Sequence, residues 1–521
     1  MNKKKRKIRA ITVVRRAVQS AFLGFFVFLV FSAAYPPLGL PASNFFLRFD
    51  PIAGIFSLTA SHSLQSFAFF WPAWVLLALT LLSSRFFCGW ICPLGTCFDI
   101  AGAVKPHSLK YYRPKGKEIR GLLEQERSGA RQRRVRVKYI LLVIVVGLSF
   151  AGVNLLYFGS PLVIANRSLY YLMLPWVPIL LLLLVLLAFL YRPRFWCEEM
   201  CPMGALFSAT SAIGKKLKPG HSPLSVVKYG DRCISCGACY KNCPFGVDEP
   251  FTSQKGGRLR SADCTACGVC IASCPSQGAL ALESFGLPLY KSHGRKVPSR
   301  VREAPNESES PSGGSRLTVT RKEFIGSVSL AAVLAVGYSA GIRKSGVQVL
   351  RMPGAQNESD FLAACNRCAE CVRACPTGCI RPMGLEAGFQ KLWTPRLIPQ
   401  KAACTFDKCD QACERVCPAG AIKRVDPAEV RIGTASIERK TCRQWNGAKC
   451  LFCVDACRFK AIEKDSRNRP VVLADKCTGC GACENGCPTN PASIVVRPMS
   501  GYSSSTGSSD SNRGKAAGSK Q

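Results

Sequence analysis

The sequence predicts an α-helical membrane domain followed by small α+β modules, each folded around paired runs of cysteine. Three observations predict it. Four long uncharged stretches fall in the first 191 residues, 30 of the 521 residues are cysteine, and most of those cysteines recur in runs of four. The chain is 48% hydrophobic yet 20% charged, with 70 Lys+Arg against 32 Asp+Glu, which fits apolar and charged blocks kept apart. Disulfide frameworks serve small secreted domains that cannot bury a core. A chain of this length can bury one, so the cysteines read as metal ligands. The apolar content excludes disorder over most of the length.

The membrane domain comes first in the chain. Residues 1–16 carry eight Lys/Arg and no acid, and the uncharged run 17–34 follows. Similar runs lie at 67–83, 139–157 and 173–191, each near the roughly 20 residues a helix needs to cross a bilayer. No small-residue cleavage site follows the first run, so it reads as an uncleaved helix rather than a signal peptide. The segment 84–138 holds 13 Lys/Arg, whereas 35–66 holds only Arg48 and 158–172 only Arg167. By the positive-inside rule, residues 1–16, 84–138 and 192–319 face the cytoplasm. A basic surplus also marks nucleic-acid binding. Here the clusters abut apolar spans without interleaved aromatics, and no nucleic-acid partner is expected.

Two cysteine runs follow the membrane domain. Cys233, Cys236, Cys239 and Cys243 are spaced C-x2-C-x2-C-x3-C ahead of Pro244, and Cys264, Cys267, Cys270 and Cys274 repeat the pattern ahead of Pro275. This is the bacterial two-[4Fe–4S] ferredoxin spacing, in which the fourth cysteine of each run ligates the other run's cluster. Three thiolates on one tight loop cap three iron corners, and Gly237 and Gly268 let the backbone pass close to the cluster. Zinc ribbons use two C-x2-C pairs without the third cysteine and the x3-C-P ending.

The signature returns beyond residue 345. Cys365, Cys368, Cys371, Cys375-Pro376 and Cys477, Cys480, Cys483, Cys487-Pro488 are regular. Between them lie two altered runs, Cys404, Cys409, Cys413, Cys417-Pro418 and Cys442, Cys450, Cys453, Cys457-Arg458. Regular runs outside and irregular runs inside suggest nested pairing, with Cys365/Cys368/Cys371/Cys487 and Cys477/Cys480/Cys483/Cys375 outermost. Nesting puts Cys404/Cys409/Cys413/Cys457 and Cys442/Cys450/Cys453/Cys417 inside. For the altered runs a [4Fe–4S] cluster, a [3Fe–4S] cluster and a lost cluster are all compatible with the spacing. Cys379 reads as a buried bystander.

Six runs use 24 cysteines. Four others form a matched pair, Cys88-x3-Cys92-Pro93-x-Gly95 and Cys197-x3-Cys201-Pro202-x-Gly204, each following an apolar span at its cytoplasmic end. Cysteines at i and i+4 share a helical face, so Cys88, Cys92, Cys197 and Cys201 are candidate thiols of one redox or metal site. Absences narrow the chemistry. No C-x-x-C-H is present, the four histidines lie outside the apolar spans, and neither a dinucleotide fingerprint nor a P-loop occurs. No haem, flavin or nucleotide signature is therefore found, and no catalytic residue.

The expected organisation is a basic N-terminus (1–16), a four-span domain (17–215), a two-cluster ferredoxin domain (225–285) and a linker (286–319). A leader or fifth span (320–344), a four-cluster domain (345–499) and a disordered tail (500–521) complete it. Thr320-Arg321-Lys322-Glu323-Phe324-Ile325 approximates a twin-arginine export signal, with Lys322 in place of the second arginine.

These motifs carry a resemblance. Up to about residue 285 the chain resembles NapH/MauN-type membrane ferredoxins, whose relatives NosR and CcoG share the C-x3-C-P motifs. From about 316 it resembles NapG/MauM-type four-cluster polyferredoxins, and Gly384-Leu385-Glu386 … Leu392-Trp393-Thr394-Pro395 adds to that likeness. The resemblance implies a fusion of two quinol-dehydrogenase-type components: a multi-pass protein of a bacterial cytoplasmic membrane with about six [4Fe–4S] clusters. It implies electron exchange with a quinol pool and a redox partner, with residues 345–521 in the periplasm. The NosR/CcoG likeness implies an alternative, a redox or metal-centre maturation factor.

Overall fold

The structure, a computed structural model, describes residues 10–32, 44–61, 64–104, 137–150, 153–173, 179–190, 193–217, 224–234, 236–247, 256–259, 261–294, 325–330, 332–333, 349–355 and 358–499. The tail 500–521, the basic segment 1–9 and most of the twin-arginine-like stretch lie outside the described residues.

The first apolar run forms α1, Ala10–Ser32. Among the described residues it is the one helix long and apolar enough to cross a membrane. The other three expected spans appear as shorter apolar helices, α3 (Trp71–Leu82), α6 (Val137–Phe150) and α8 (Ile179–Leu190). Pro72 in the first turn of α3 removes a backbone donor, which separates α3 from the preceding Leu64–Phe69 turn. Between α1 and α3 lies α2, Pro51–Ser61. Asp50 caps it, its carboxylate accepting from the Ile52 and Ala53 amides.

Each C-x3-C-P motif is a break between two helices. Phe86–Trp90 forms a short α4 that leads into α5, Pro93–Val104. After α7 (Pro161–Met173) and α8, Trp196–Met200 forms a π turn that leads into α9, Pro202–Leu217. The two halves exchange partners: α9 packs on α3 and α6, and α5 packs on α8, α7 and α1.

The first cysteine module is a four-stranded antiparallel sheet, β1 (Ser225–Lys228), β2 (Gly257–Arg258), β3 (Gln277–Ser284) and β4 (Leu287–His293), in the order β2-β1-β3-β4. The linker was expected from 286. Instead β4 continues the sheet to His293, because Phe285-Gly286 turns the chain back with both residues at positive φ. Residues 349–499 form a second module with three short antiparallel pairs. β5 (Ile380–Pro382) pairs β6 (Pro395–Leu397), β7 (Gly433–Ile437) pairs β10 (Ile494–Pro498), and β8 (Ile462–Lys464) pairs β9 (Pro470–Val472).

The two modules sit at opposite ends of α1. Ile11 packs against Gly268 of the first, and the Val30 carbonyl accepts from Arg373 of the second. At about 1.5 Å rise per residue these contacts are about 29 Å apart. At the second module buried asparagines make the join. Asn154 donates to the Ala363 and Cys365 carbonyls at 3.1 and 3.2 Å, and Asn166 donates to the Cys368 carbonyl at 2.9 Å and to Glu370 at 2.8 Å. Arg167 stacks on Trp393, 3.7 Å from its ring centre. Replacing Asn166 by Leu leaves the Cys368 carbonyl unpaired in a buried place, a cost of about 1–3 kcal/mol. Faster amide hydrogen exchange across residues 365–371 is the expected result, with unchanged exchange in the first module.

Candidate iron–sulfur sites

In the first module the chain reverses twice in the same way. Gly237 and Gly268 take the left-handed conformation at φ 73° and 70°, each opening the one-turn helix that carries the third cysteine of its run. Cys233, Cys236 and Cys239 then share one cavity with Cys274, and Cys264, Cys267 and Cys270 share another with Cys243. Each run thus sends its fourth thiol to its neighbour, as the spacing predicts.

In the second module the nested pairing is wrong. Cys365, Cys368 and Cys371 share a cavity with Cys417, not Cys487. Cys477, Cys480 and Cys483 share theirs with Cys457, not Cys375, and Cys442, Cys450 and Cys453 share theirs with Cys487, not Cys417. Cys404, Cys409 and Cys413 gather around Cys375 rather than Cys457, with Cys413 close to Cys409 and Cys375 and Cys404 bonded to Cys379 beside Cys375. Runs pair with their sequence neighbours, first with second and third with fourth. The physical reason is loop closure: sequential pairing closes only short loops, whereas nesting asks its outer pair to close one of about 100 residues. The altered spacings are absorbed locally. Asp410 and Gln411 adopt positive φ (46° and 48°), reversing the longer loop just before the short helix that carries Cys413. Arg458, standing where proline was expected, instead bridges the two halves by reaching Asp407 at 3.1 Å and the Cys404 carbonyl at 3.2 Å.

Backbone amides point at the sulfurs: Val247 N to Cys243 Sγ at 3.4 Å, Ala461 N to Cys457 Sγ at 3.2 Å and Ser493 N to Cys487 Sγ at 3.3 Å. Burial pushes the Cys239 and Cys365 thiols up to about 11 and the Cys243 thiol up to about 12. Thiolates in such places require a cationic guest. Among the described residues no three His, Cys, Asp or Glu side chains converge closely enough for a single metal ion. Thiols spread round a cavity suit a cluster, and N–H donors to sulfur are the usual means of tuning one.

The two C-x3-C-P motifs also meet. Cys92 lies within electrostatic range of Cys88 and Cys197, and Cys201 of Cys197, Cys88 and Cys92. Two arginines, each three residues before its motif, cross over. Arg85 donates to the Cys197 carbonyl at 3.4 Å and its Nη2 stands 3.8 Å from Cys88 Sγ, while Arg194 donates to the Cys88 carbonyl at 2.5 Å. Each cation has a carboxylate, the buried Asp263 for Arg85 at 2.8 Å and the partly exposed Asp99 for Arg194 at 2.6 Å. Arg15, expected in the cytoplasmic N-terminus, is instead buried beside Asp99 at 3.3 Å. Glycine follows each proline by two residues because an added Cβ would come within 2.8 Å of Arg194 at Gly95 and 2.7 Å of Arg85 at Gly204. Asp263 precedes the ligand candidate Cys264, and Arg194 faces Phe245 at 4.9 Å, so the first module rests directly on this thiol set. Gln19 of α1 bonds the Gly89 carbonyl at 3.0 Å. The thiols therefore stand beside the middle of α1, following α3 and α8 as the sequence placed them.

Sequence reasoning missed Arg85, Arg194, Asp99, Asp263, Asn154 and Asn166. The arginines had a signal: Arg-Phe-Phe-Cys88 and Arg-Phe-Trp-Cys197 repeat the residue as faithfully as the cysteines do.

Comparison with known proteins agrees with these groupings. Residues 225–284 match a 4Fe-4S dicluster domain family, and residues 448–490, which hold the third run of the second module from Cys450 onward and all of the fourth, match another. Residues 362–378 match a 4Fe-4S binding domain family, and both C-x3-C-P segments, within 65–110 and 173–219, match a further one. The methylamine utilization ferredoxin-type protein MauM of Methylorubrum extorquens is 37% identical over 187 residues, covering 33% of this chain and 83% of that protein. MauM of Paracoccus denitrificans is 37% identical over 186 residues, covering 33% and 80%. The ferredoxin-type protein NapG of Escherichia coli is 33% identical over 203 residues, covering 34% and 86%. No solved structure matches. Through that third of its length, this chain of multiple 4Fe-4S binding domains belongs to the MauM/NapG family of ferredoxin-type proteins.

Proposed function

We propose that the protein is a multi-pass component of a bacterial cytoplasmic membrane that passes electrons between a quinol pool and a periplasmic redox partner through about six [4Fe–4S] clusters. Its first part serves as a NapH/MauN-type membrane half fused to the MauM/NapG-type half. The thiol groups described above are the ligand sets, with Cys375/Cys404/Cys409/Cys413 as the sixth. The clusters supply one-electron chemistry, and the protein sets their potentials through amide donors, burial and charge.

The observation that carries this reading is the placement of the modules at opposite ends of α1. The apolar side chains of α1, α3 and α8 that face outward, among them Phe28, Leu79 and Leu186, suit lipid contact. Residues 1–16 and 192–319 are then cytoplasmic and 345–521 periplasmic. Protease added to intact spheroplasts is expected to cut beyond residue 345 and spare the first module; protection of both modules would refute the topology.

About 29 Å is too far for one electron hop, and Gln19 stands about 12 Å from Ile11 and about 17 Å from Val30 along α1. The four thiols beside it are placed as an intermediate station. With menaquinol added to purified membranes, the clusters of both modules are expected to reduce. Replacing Cys88 and Cys197 by Ser is expected to stop electrons reaching one module while leaving the other reducible. Absence of any quinol reduction in the unaltered protein would sink the proposal. The burial of Cys92, Cys197 and Cys201 favours a second reading, a maturation factor of the NosR/CcoG kind. In that case the same variant keeps its quinol-linked cluster reduction, and a client enzyme loses its metal.

A further inference from the structure

In three runs the residue four places beyond the last cysteine lines the cavity of the thiol set that this cysteine joins. Val247 follows Cys243 and lines its cavity, Ala421 follows Cys417 and lines its cavity, and Ala461 does the same for Cys457. Gly278 and Pro491 hold the position after Cys274 and Cys487. All five are without a polar side chain. The sixth is Cys379, four residues after Cys375.

Cys379 is buried at 1% exposure. Its Sγ lies 3.5 Å from Cys375 Sγ, and it hydrogen-bonds Cys404, another thiol of the same set. The backbone keeps it there: the Ile398 amide donates to the Cys379 carbonyl at 2.9 Å, at the end of the β5–β6 pair. Five thiols therefore gather where each other set has four, and they do so around the run with the widened spacing Cys404-x4-Cys409-x3-Cys413. A buried cysteine is ordinarily a small hydrophobe, and Ala421 and Ala461 show that alanine fills the equivalent place. Only at this position does the side chain reach two ligand candidates with a sulfur.

We infer that Cys379 is an alternative fourth ligand for the Cys404/Cys409/Cys413 site, able to take the corner that Cys375 serves. Either thiol gives up one proton on binding iron, so the site's charge is the same with either. The inference rests on the reading that this site holds an iron–sulfur cluster.

The test uses the full chain, purified anaerobically as the unaltered protein and as C379A, C375A and C375A/C379A. Iron and acid-labile sulfide per chain are measured, with EPR of the dithionite-reduced protein. C379A is expected to keep all its iron. C375A is expected to keep all its iron too, with one cluster's EPR signal changed, and the double variant is expected to lose four iron atoms per chain. Retained signals from the other clusters show that the double variant is folded. If C375A alone loses as much iron as the double variant, Cys379 is no ligand and the inference is overturned. If the double variant loses none, the site itself holds no cluster, and the reading beneath the inference falls with it.

Discussion

Replacing Asp263 by alanine is expected to cost about 3–5 kcal/mol, the cost of breaking a buried ion pair by removing one partner. Asp263 lies between Arg85 and Lys138, whose side chains are 1% and 0% exposed, and also accepts from Ser208 at 2.8 Å. Without it two cations share an apolar seam with no carboxylate between them. The seam joins three parts of the chain: the first C-x3-C-P motif, α6, and the loop that starts the second cysteine run. The loss is therefore expected to loosen the first module from the helices as well as to destabilise it. Thermal loss of iron–sulfur absorbance in detergent-solubilised protein measures the first effect, and amide exchange over 261–270 measures the second. Asp263→Asn, which keeps an acceptor oxygen but not the charge, is expected to fall between. A change below about 1 kcal/mol in Asp263→Ala would mean that the seam is solvated, like a surface ion pair.

Removing Cys417 separates sequential from nested pairing outright. Cys417→Ser is expected to lose the cluster of Cys365, Cys368 and Cys371, or four iron atoms per chain. Adding Cys365→Ser is expected to remove no more, because both thiols then belong to one site. Combining Cys365→Ser with Cys487→Ser is expected to remove two clusters, since Cys487 stands with Cys442, Cys450 and Cys453. Under nested pairing the two double variants exchange results. This is a double-mutant cycle with iron as its readout, and coupling is expected only between thiols that share a partner.

Much of the site was legible before any coordinates. A cluster requires three thiolates on one tight loop and a fourth from outside, and that local demand writes itself into spacing: C-x2-C-x2-C-x3-C gave the two sets of the first module in full. Where the spacing changes it loses that power. Cys404-x4-Cys409 and Cys442-x7-Cys450 do not say which partner supplies the fourth thiol, and the symmetry argument drawn from them chose wrongly. Cys379 shows the same limit from the other side, because one cysteine in a sequence carries no direction, and its meaning came from a 3.5 Å approach to Cys375. The linker boundary was also misplaced, since a strand such as β4 that pairs at the edge of a sheet needs little hydrophobic pattern of its own.

Composition, charge blocks and cysteine spacing thus determine the kinds of parts in this chain: apolar helices, four-cysteine loops and a repeated pair of helix-end thiols. These are short-range properties, fixed by residues within one or two turns of each other. The partnerships between parts belong to the tertiary structure. It alone brings Arg85 to Cys197 and Arg194 to Cys88, sets the two modules at opposite ends of α1, and pairs each cysteine run with its neighbour. The reason is that Arg85, Arg194 and Asn166 find partners more than a hundred residues away, and each fourth ligand comes from a neighbouring run rather than its own, where local spacing decides little and packing geometry chooses.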